Sequence, residues 1–195
     1  MTAMTRGAAM EAAALAVAGV AVGGVVLGEH AEPALSRPSA KQDAEILNFA
    51  LVLEYVQSAF YAEALRRAGL TGEMRTFAAT VGFHEAAHLD LLKETLGAAA
   101  RKSPKLDFGD DTADAERFGA AALKLEDLGV AAYNAQAPNL TRPALAAAAR
   151  IVSVEARHAS WIRDLQGEVP APEAAEPTIS AERVIATFRG SGYVQ

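Results

Sequence analysis

The sequence of 195 residues contains no cysteine. This absence excludes disulfides, thiolate zinc sites and cysteine nucleophiles, so any metal must be held by oxygen and nitrogen ligands. Basic residues are also few, because 18 Lys and Arg stand against 24 Asp and Glu and form no dense cluster. A chain without a basic patch lacks the electrostatic footprint of a nucleic-acid-binding protein, and we expect no nucleic acid among its partners.

Strand-like alternation of apolar and polar residues is missing from the region that follows Pro38. Apolar residues recur there every three or four positions, which is the helical period. The stretch 98–111 breaks this period with Pro104 and Gly109, and it is long enough to cross a whole bundle. The sequence therefore predicts an all-α four-helix bundle with a long crossover between helices two and three. The predicted bundle helices span about residues 42–68, 71–96, 112–135 and 142–165, and a short helix follows at 181–188.

A hydrophobic run of Ala, Val, Gly and Leu occupies residues 12–27, after Arg6. It is shorter than the roughly 20 residues of a membrane span, and it predicts an export signal or a membrane anchor. The alternative is a small-residue helix packed on the bundle. We expect an exported protein that is periplasmic, in the cell envelope or membrane-anchored. The predicted domains are 1–40 (signal or anchor and linker), 41–167 (bundle) and 168–195 (a Pro/Ala/Glu linker and a short C-terminal helix).

An internal repeat relates the first helix pair to the second. Helices one and three share a Leu-Glu pair with a Tyr seven residues after the Glu. Helices two and four share the motif Glu-Ala-x-His. The matched residues are Glu54 and Glu126, Tyr61 and Tyr133, Glu85 and Glu155, and His88 and His158. Two similar halves are therefore predicted to face each other across the bundle.

Each of the four glutamates falls within the apolar face of its helix, near the middle of that helix. Four carboxylates in a dry core repel one another, and each carries a desolvation penalty on the order of several kcal/mol. Two divalent cations would neutralise them, with the two imidazoles completing the ligand shells. One Glu from each of two helices and Glu-x-x-His from each of the others is a known di-metal pattern. The predicted metal ligands are Glu54, Glu85, His88, Glu126, Glu155 and His158.

In these motifs the chain resembles the ferritin-like superfamily, and most closely its exported or stress-associated branch. The resemblance covers about residues 43–167 and includes Leu47-Asn48 and the stretch from Leu125 to Asn134. It implies a di-iron centre in which the six residues are bridging and terminal ligands. We expect Glu126 to be one of the bridging ligands.

Three functions remain open from the sequence. A di-iron site would oxidise ferrous ion or remove peroxide, with dioxygen or peroxide as partner. Two manganese ions in the same site would make a catalase-like enzyme, and ligand types do not discriminate because both metals accept carboxylate and imidazole. The third function is that of a structural or interaction protein of the cell envelope in which the metal only stabilises the bundle. We expect a monomer, a small homo-oligomer or a subunit bound to an envelope protein, rather than a closed storage shell.

Several residues near the predicted site permit two interpretations each. Tyr61 and Tyr133 either pack in the core, or one of them hydrogen-bonds a ligating carboxylate or relays an electron. Gly129 either leaves room for a small ligand or allows close helix packing. We expect His84 to be exposed or at an interface, because it lies about 100° from Glu85 around the helix.

Overall fold

Five α-helices make up most of residues 37–195, the part of the chain that this computed structural model describes. The predicted all-α bundle is confirmed, and no strand occurs in this part apart from a single bridge between Leu106 and Val194. No helix within it is both long and apolar enough to cross a bilayer. The predicted signal or anchor at 12–27 lies outside the described residues. The helices are α1 (Ala40–Arg67), α2 (Gly72–Leu96), α3 (Ala115–Gln136), α4 (Arg142–Leu165) and α5 (Ala181–Gly190).

The start of α3 differs from its predicted position. The helix begins at Ala115 instead of about residue 112, because the carboxylate of Asp114 accepts a hydrogen bond from the Arg117 amide at 2.9 Å and caps it. Thr112 lies before the cap, and its hydroxyl donates to Glu63 Oε1 at 2.5 Å. Thr112, which the helical period had assigned to α3, is therefore hydrogen-bonded to α1 instead.

The beginning of α1 contacts the far ends of both α2 and α3. The carboxylate of Asp43 accepts hydrogen bonds from the Thr141 amide at 2.9 Å and from its hydroxyl at 2.5 Å. The side-chain amide of Asn48 donates to the carbonyl of Ala99 at 3.0 Å, just after α2. Helices α2 and α3 therefore both run antiparallel to α1, and α4 runs parallel to it.

The crossover between α2 and α3 travels the length of the bundle, as predicted. It leaves α2 beside the start of α1 and reaches the opposite end, where Arg67 in the last turn of α1 donates to the carbonyl of Gly109 at 2.5 Å. This path makes α3 parallel to α2. The two helix pairs then face each other with their middles at one level.

Two apolar clusters fill the core on either side of that level. The larger is rich in aromatic rings, with Phe60 stacked on Phe118 at 5.5 Å between ring centroids. The smaller is mainly aliphatic and contains Leu51, Leu92 and Ile151, all without solvent exposure. Dense packing above and below fixes the helices against rotation and keeps water out of the space between the clusters.

The C-terminal segment docks on the bundle. Val184 and Phe188 of α5 are buried in the larger cluster, and Tyr193 joins them. The Tyr193 hydroxyl donates to Asp111 Oδ2 at 2.5 Å, and the Gln195 amide donates to the carbonyl of Lys105 at 3.1 Å. The tail therefore fastens the crossover to the rest of the domain.

Replacing Phe188 with Ala tests whether this docking stabilises the domain. Phe188 is 1% exposed, so removing its ring should lower the free energy of unfolding by about 3–5 kcal/mol. Phe83 is 72% exposed, and Phe83→Ala should change it by no more than about 0.5 kcal/mol. Urea unfolding of both variants measures the difference, and equal effects would show that the tail adds nothing.

Candidate metal centre

The six predicted ligands meet between the two apolar clusters. The four carboxylates have no solvent-exposed surface, and the imidazoles of His88 and His158 are 8% and 3% exposed. Their donor atoms form two sets of four, and within each set the atoms lie within 4.8 Å of one another. The first set is Glu54, Glu85, His88 and Glu155, and the second set is Glu85, Glu126, Glu155 and His158.

Each imidazole points its Nδ1 atom at carboxylates from its own helix and from other helices. Nδ1 of His88 lies 3.0 Å from Glu155 Oε1, 3.2 Å from Glu85 Oε2 and 3.3 Å from Glu54 Oε2. The helical offset of three residues places Glu85 and His88 on the same face of α2. Three helices therefore contribute to the surroundings of this nitrogen.

The surroundings of His158 repeat this arrangement on the other half of the bundle. Its Nδ1 lies 3.2 Å from Glu85 Oε1 and 3.2 Å from Glu126 Oε2. Neither contact is a hydrogen bond, since this nitrogen has no hydrogen-bond partner in the structure. A nitrogen and two carboxylate oxygens lie close together here without hydrogen bonds. Ligands of a common cation would be placed in this way.

The sharing of residues between the two sets shows which glutamates are placed to contact two ions. Glu85 and Glu155 belong to both sets, whereas Glu54 and Glu126 belong to one each. That Glu126 bridges two ions stays a prediction, and the glutamates of the two Glu-x-x-His motifs are the ones placed within reach of both sets. The reason is geometric, because the carboxylates from α2 and α4 lie between the two imidazoles while those from α1 and α3 each face one.

The donor set fits a pair of divalent cations. One oxygen of every carboxylate in the cluster is buried without a hydrogen-bond partner, which is rare for buried polar atoms. Within residues 37–195, the only side chains within ion-pair distance of these carboxylates are His88 and His158. Two divalent ions balance four carboxylates, and oxygen with imidazole nitrogen suits iron or manganese.

Both tyrosines pack in the core clusters, and each also hydrogen-bonds a carboxylate of the predicted site. The Tyr61 hydroxyl donates to Glu126 Oε1 and the Tyr133 hydroxyl donates to Glu54 Oε1, each at 2.5 Å. The tyrosine of α1 thus binds the glutamate of α3, and the tyrosine of α3 binds the glutamate of α1. Burial and the neighbouring carboxylates raise the pKa of both phenols well above the usual value, so both remain donors. The bonded oxygen is fixed and the other oxygen faces the cluster.

Gln57 is a site residue that the sequence analysis missed. It is fully buried, and its Nε2 lies 3.2 Å from Glu126 Oε1 and 3.3 Å from Glu155 Oε2, donating to both. A Cβ atom at Gly129 would lie 3.3 Å from Glu155 Oε2 and 3.5 Å from Gln57 Nε2. The missing side chain at Gly129 therefore leaves room for these two side chains. Gln57 follows Glu54 by three residues, the spacing of the Glu-x-x-His motifs, and that signal could have identified it.

His84 also lies closer to the centre than expected. Its Nδ1 is 2.8 Å from Nε2 of His158, and the two rings are stacked with 5.1 Å between their centroids. It lies at the edge of a half-open depression of about 360 Å³ between α2 and α4. The depression is lined by His84, Ala87, His88, Val154, Arg157, His158 and Trp161. This depression connects two ligand imidazoles with the surface.

Without metal, the cluster holds protons at neutral pH. Burial, followed by repulsion from Glu85, raises the pKa of Glu54 to about 8, and burial raises that of Glu155 to about 7. Burial lowers the pKa of His88, but the nearby carboxylates of Glu155 and Glu54 outweigh this effect and raise the pKa to about 12. Metal binding must therefore release protons.

A family model described as ferritin-like domain matches residues 42–168. The matched span contains α1 from residue 42 onward, α2 to α4, all six predicted ligands and both tyrosines. A search of curated proteins found no match.

The shifted carboxyl groups predict how pH changes the stability of the metal-free protein. An unfolded glutamate releases its proton near pH 4.5, whereas folded Glu54 retains it up to about pH 8. The folded chain therefore binds more protons in this window, so its free energy of unfolding should fall as pH rises from 5 to 8. Thermal unfolding of chelator-treated protein measures this slope.

Two comparisons control the pH experiment. Glu54→Gln removes one titrating carboxyl and should flatten the slope. Metal-loaded protein should not lose stability over the same window, because cations and protons compete for the same oxygens. Metal-free protein that gains stability between pH 5 and 8 would contradict the assignment.

Proposed function

The chain belongs to the ferritin-like domain family, and on this premise we propose that its buried cluster holds two metal ions and oxidises ferrous ion with peroxide or dioxygen. Iron is the proposed metal, with manganese as the alternative. The observation that carries the proposal is the set of four buried carboxylates, each with an oxygen that lacks a hydrogen-bond partner, beside two imidazoles. Such a site has no other source of positive charge in the described residues beyond those imidazoles.

The proposed reaction balances with ferrous ion as the substrate. Two ferrous ions each give up one electron, and hydrogen peroxide takes up both electrons with two protons to form two waters. With dioxygen, the same two electrons and two protons yield hydrogen peroxide. When bound as a pair, the ions supply two electrons at one place, which is the chemistry that carboxylate and imidazole ligands support with iron.

The surrounding residues would orient the ligands and control access. Tyr61 and Tyr133 hold one oxygen of each terminal carboxylate, so the other oxygen faces the cluster. The depression beside His88 and His158 supports entry of a molecule as small as peroxide. The apolar clusters on either side keep bulk water from competing for the carboxylates.

Peroxide consumption by ferrous-loaded protein under anaerobic conditions tests the proposal. We expect two ferrous ions to be oxidised per peroxide. The absorbance of the ferric product in a stopped-flow instrument measures the rate. Glu85→Ala removes a carboxylate that both sets share and should slow oxidation by at least about tenfold. Glu94→Ala is the matched control, since this glutamate lies exposed on the same helix and should react like the unaltered protein.

Other outcomes would assign a different function. Evolution of dioxygen from peroxide by manganese-loaded protein, without ferrous ion, would favour a catalase-like enzyme. Two bound equivalents of metal with no turnover of either substrate would contradict the oxidase proposal and favour a structural role for the metal.

A further inference from the structure

The internal repeat gives every residue around the metal centre a counterpart in the other half of the bundle. The ligands themselves are matched throughout. The residues that touch the ligands are not: Gln57 has Gly129 as its counterpart, and His84 has Val154. The two halves of the centre therefore differ in the hydrogen bonds that support the ligands.

His84 supports the imidazole of the second set. Nδ1 of His158 faces Glu85 and Glu126, so the nitrogen that must carry the proton in a ligating imidazole is Nε2. That nitrogen lies 2.8 Å from Nδ1 of His84, which accepts a hydrogen bond from it when His84 carries its own proton on Nε2. Such a partner fixes the tautomer and the ring orientation of a ligand and raises its basicity.

His88 in the first set is placed differently. Val154 lines the same depression as His88 but offers no acceptor atom in its side chain. Nδ1 of His88 is engaged in a hydrogen bond with Glu85 Oε2 at 3.2 Å, whereas Nδ1 of His158 has no hydrogen-bond partner. A cation at the first set has to displace this bond, and a cation at the second set does not.

Gln57 adds to the same asymmetry. Its side-chain amide donates to Glu126, which belongs to the second set alone, and to Glu155, which the two sets share. Glu126 thus accepts hydrogen bonds from Tyr61 and Gln57, while its counterpart Glu54 accepts one from Tyr133. A carboxylate held by two donors loses less freedom when it binds a cation.

We propose that the two metal positions differ in affinity, and that the position formed by the second set fills first. His84 is the positioning residue that makes this difference, acting through His158. The inference rests on the metal centre proposed above. An ion at the second position would then stay bound while the position beside Glu54 and His88 exchanges its ion, as a site that binds ferrous ion as substrate requires.

Titration of the metal-free protein with Co²⁺ tests the proposal. Binding is followed by calorimetry and by the visible absorbance of the bound ion. Two binding steps of unequal affinity are expected. His84→Val copies the residue of the other half, and it should weaken the tighter step by roughly 10- to 100-fold and leave the weaker step unchanged. His84→Gln, whose carbonyl oxygen accepts the same hydrogen bond, should restore most of the affinity. A residue with only a structural role would not show this rescue.

Three further variants assign the steps to positions. His158→Ala should abolish the tighter step, and His88→Ala should abolish the weaker one. Val154→His, which offers His88 the partner that it lacks, should strengthen the weaker step. Circular dichroism shows which variants fold, and the partly exposed positions 84 and 154 allow the test to stand without the two ligand variants.

The opposite results would overturn the inference. These are two equal steps in the unaltered protein, loss of the tighter step in His88→Ala, or the same weakening of both steps in His84→Val. Absence of any Co²⁺ binding would overturn the proposed metal centre as well. Two unequal steps in a protein that does not oxidise ferrous ion would overturn the proposed oxidase function and leave this inference standing.

Discussion

The repulsion among four carboxylates buried at one level of the bundle is the constraint on which the rest of the structure depends. Each of these groups loses its hydration, and each faces other negative charges at short range in a medium of low dielectric constant. In the described residues, two imidazoles, two phenols and one carboxamide lie against these carboxylates and bind some of their oxygens. One oxygen of each carboxylate has no hydrogen-bond partner. The remaining charge is what two divalent cations would neutralise, so the same groups that would destabilise the empty core give it an affinity for metal.

The scaffold around the cluster keeps this arrangement rigid. Aromatic packing fills one side and aliphatic packing the other, and the tyrosine hydroxyls reach the carboxylates from both sides. Tyr61 belongs to the larger cluster and Tyr133 to the smaller, so each ties a terminal ligand to a packed core. The C-terminal tail closes the crossover against the end of the bundle where the larger cluster lies. The positions of the ligand oxygens are thus set by packing some distance away from them.

Much of this centre could be predicted from the sequence because two periodicities coincide. The helical period placed the glutamates on the buried faces, and the repeat of Glu-x-x-His made a chance match improbable, so the helices and the six residues that meet in the core were predicted. The sharing of Glu85 between the two donor sets and the contacts of Gln57 and His84 were not, because they depend on the rotation and axial offset of neighbouring helices. Those quantities follow from packing between helices, and periodicity within one helix does not determine them. His84 shows this most clearly. It lies about 100° from Glu85 around α2, but α4 approaches closely enough to bring His158 within hydrogen-bond distance of it.

The central claim is that two cations lie between the carboxylates of Glu85 and Glu155. Diffraction from crystals grown with ferrous or manganous ion, collected just above the absorption edge of that metal, tests it most directly. The account predicts two anomalous peaks per chain, both next to Glu85 and Glu155, with one beside His88 and the other beside His158. A single peak on the protein surface, or no peak in crystals soaked with excess metal, would contradict it.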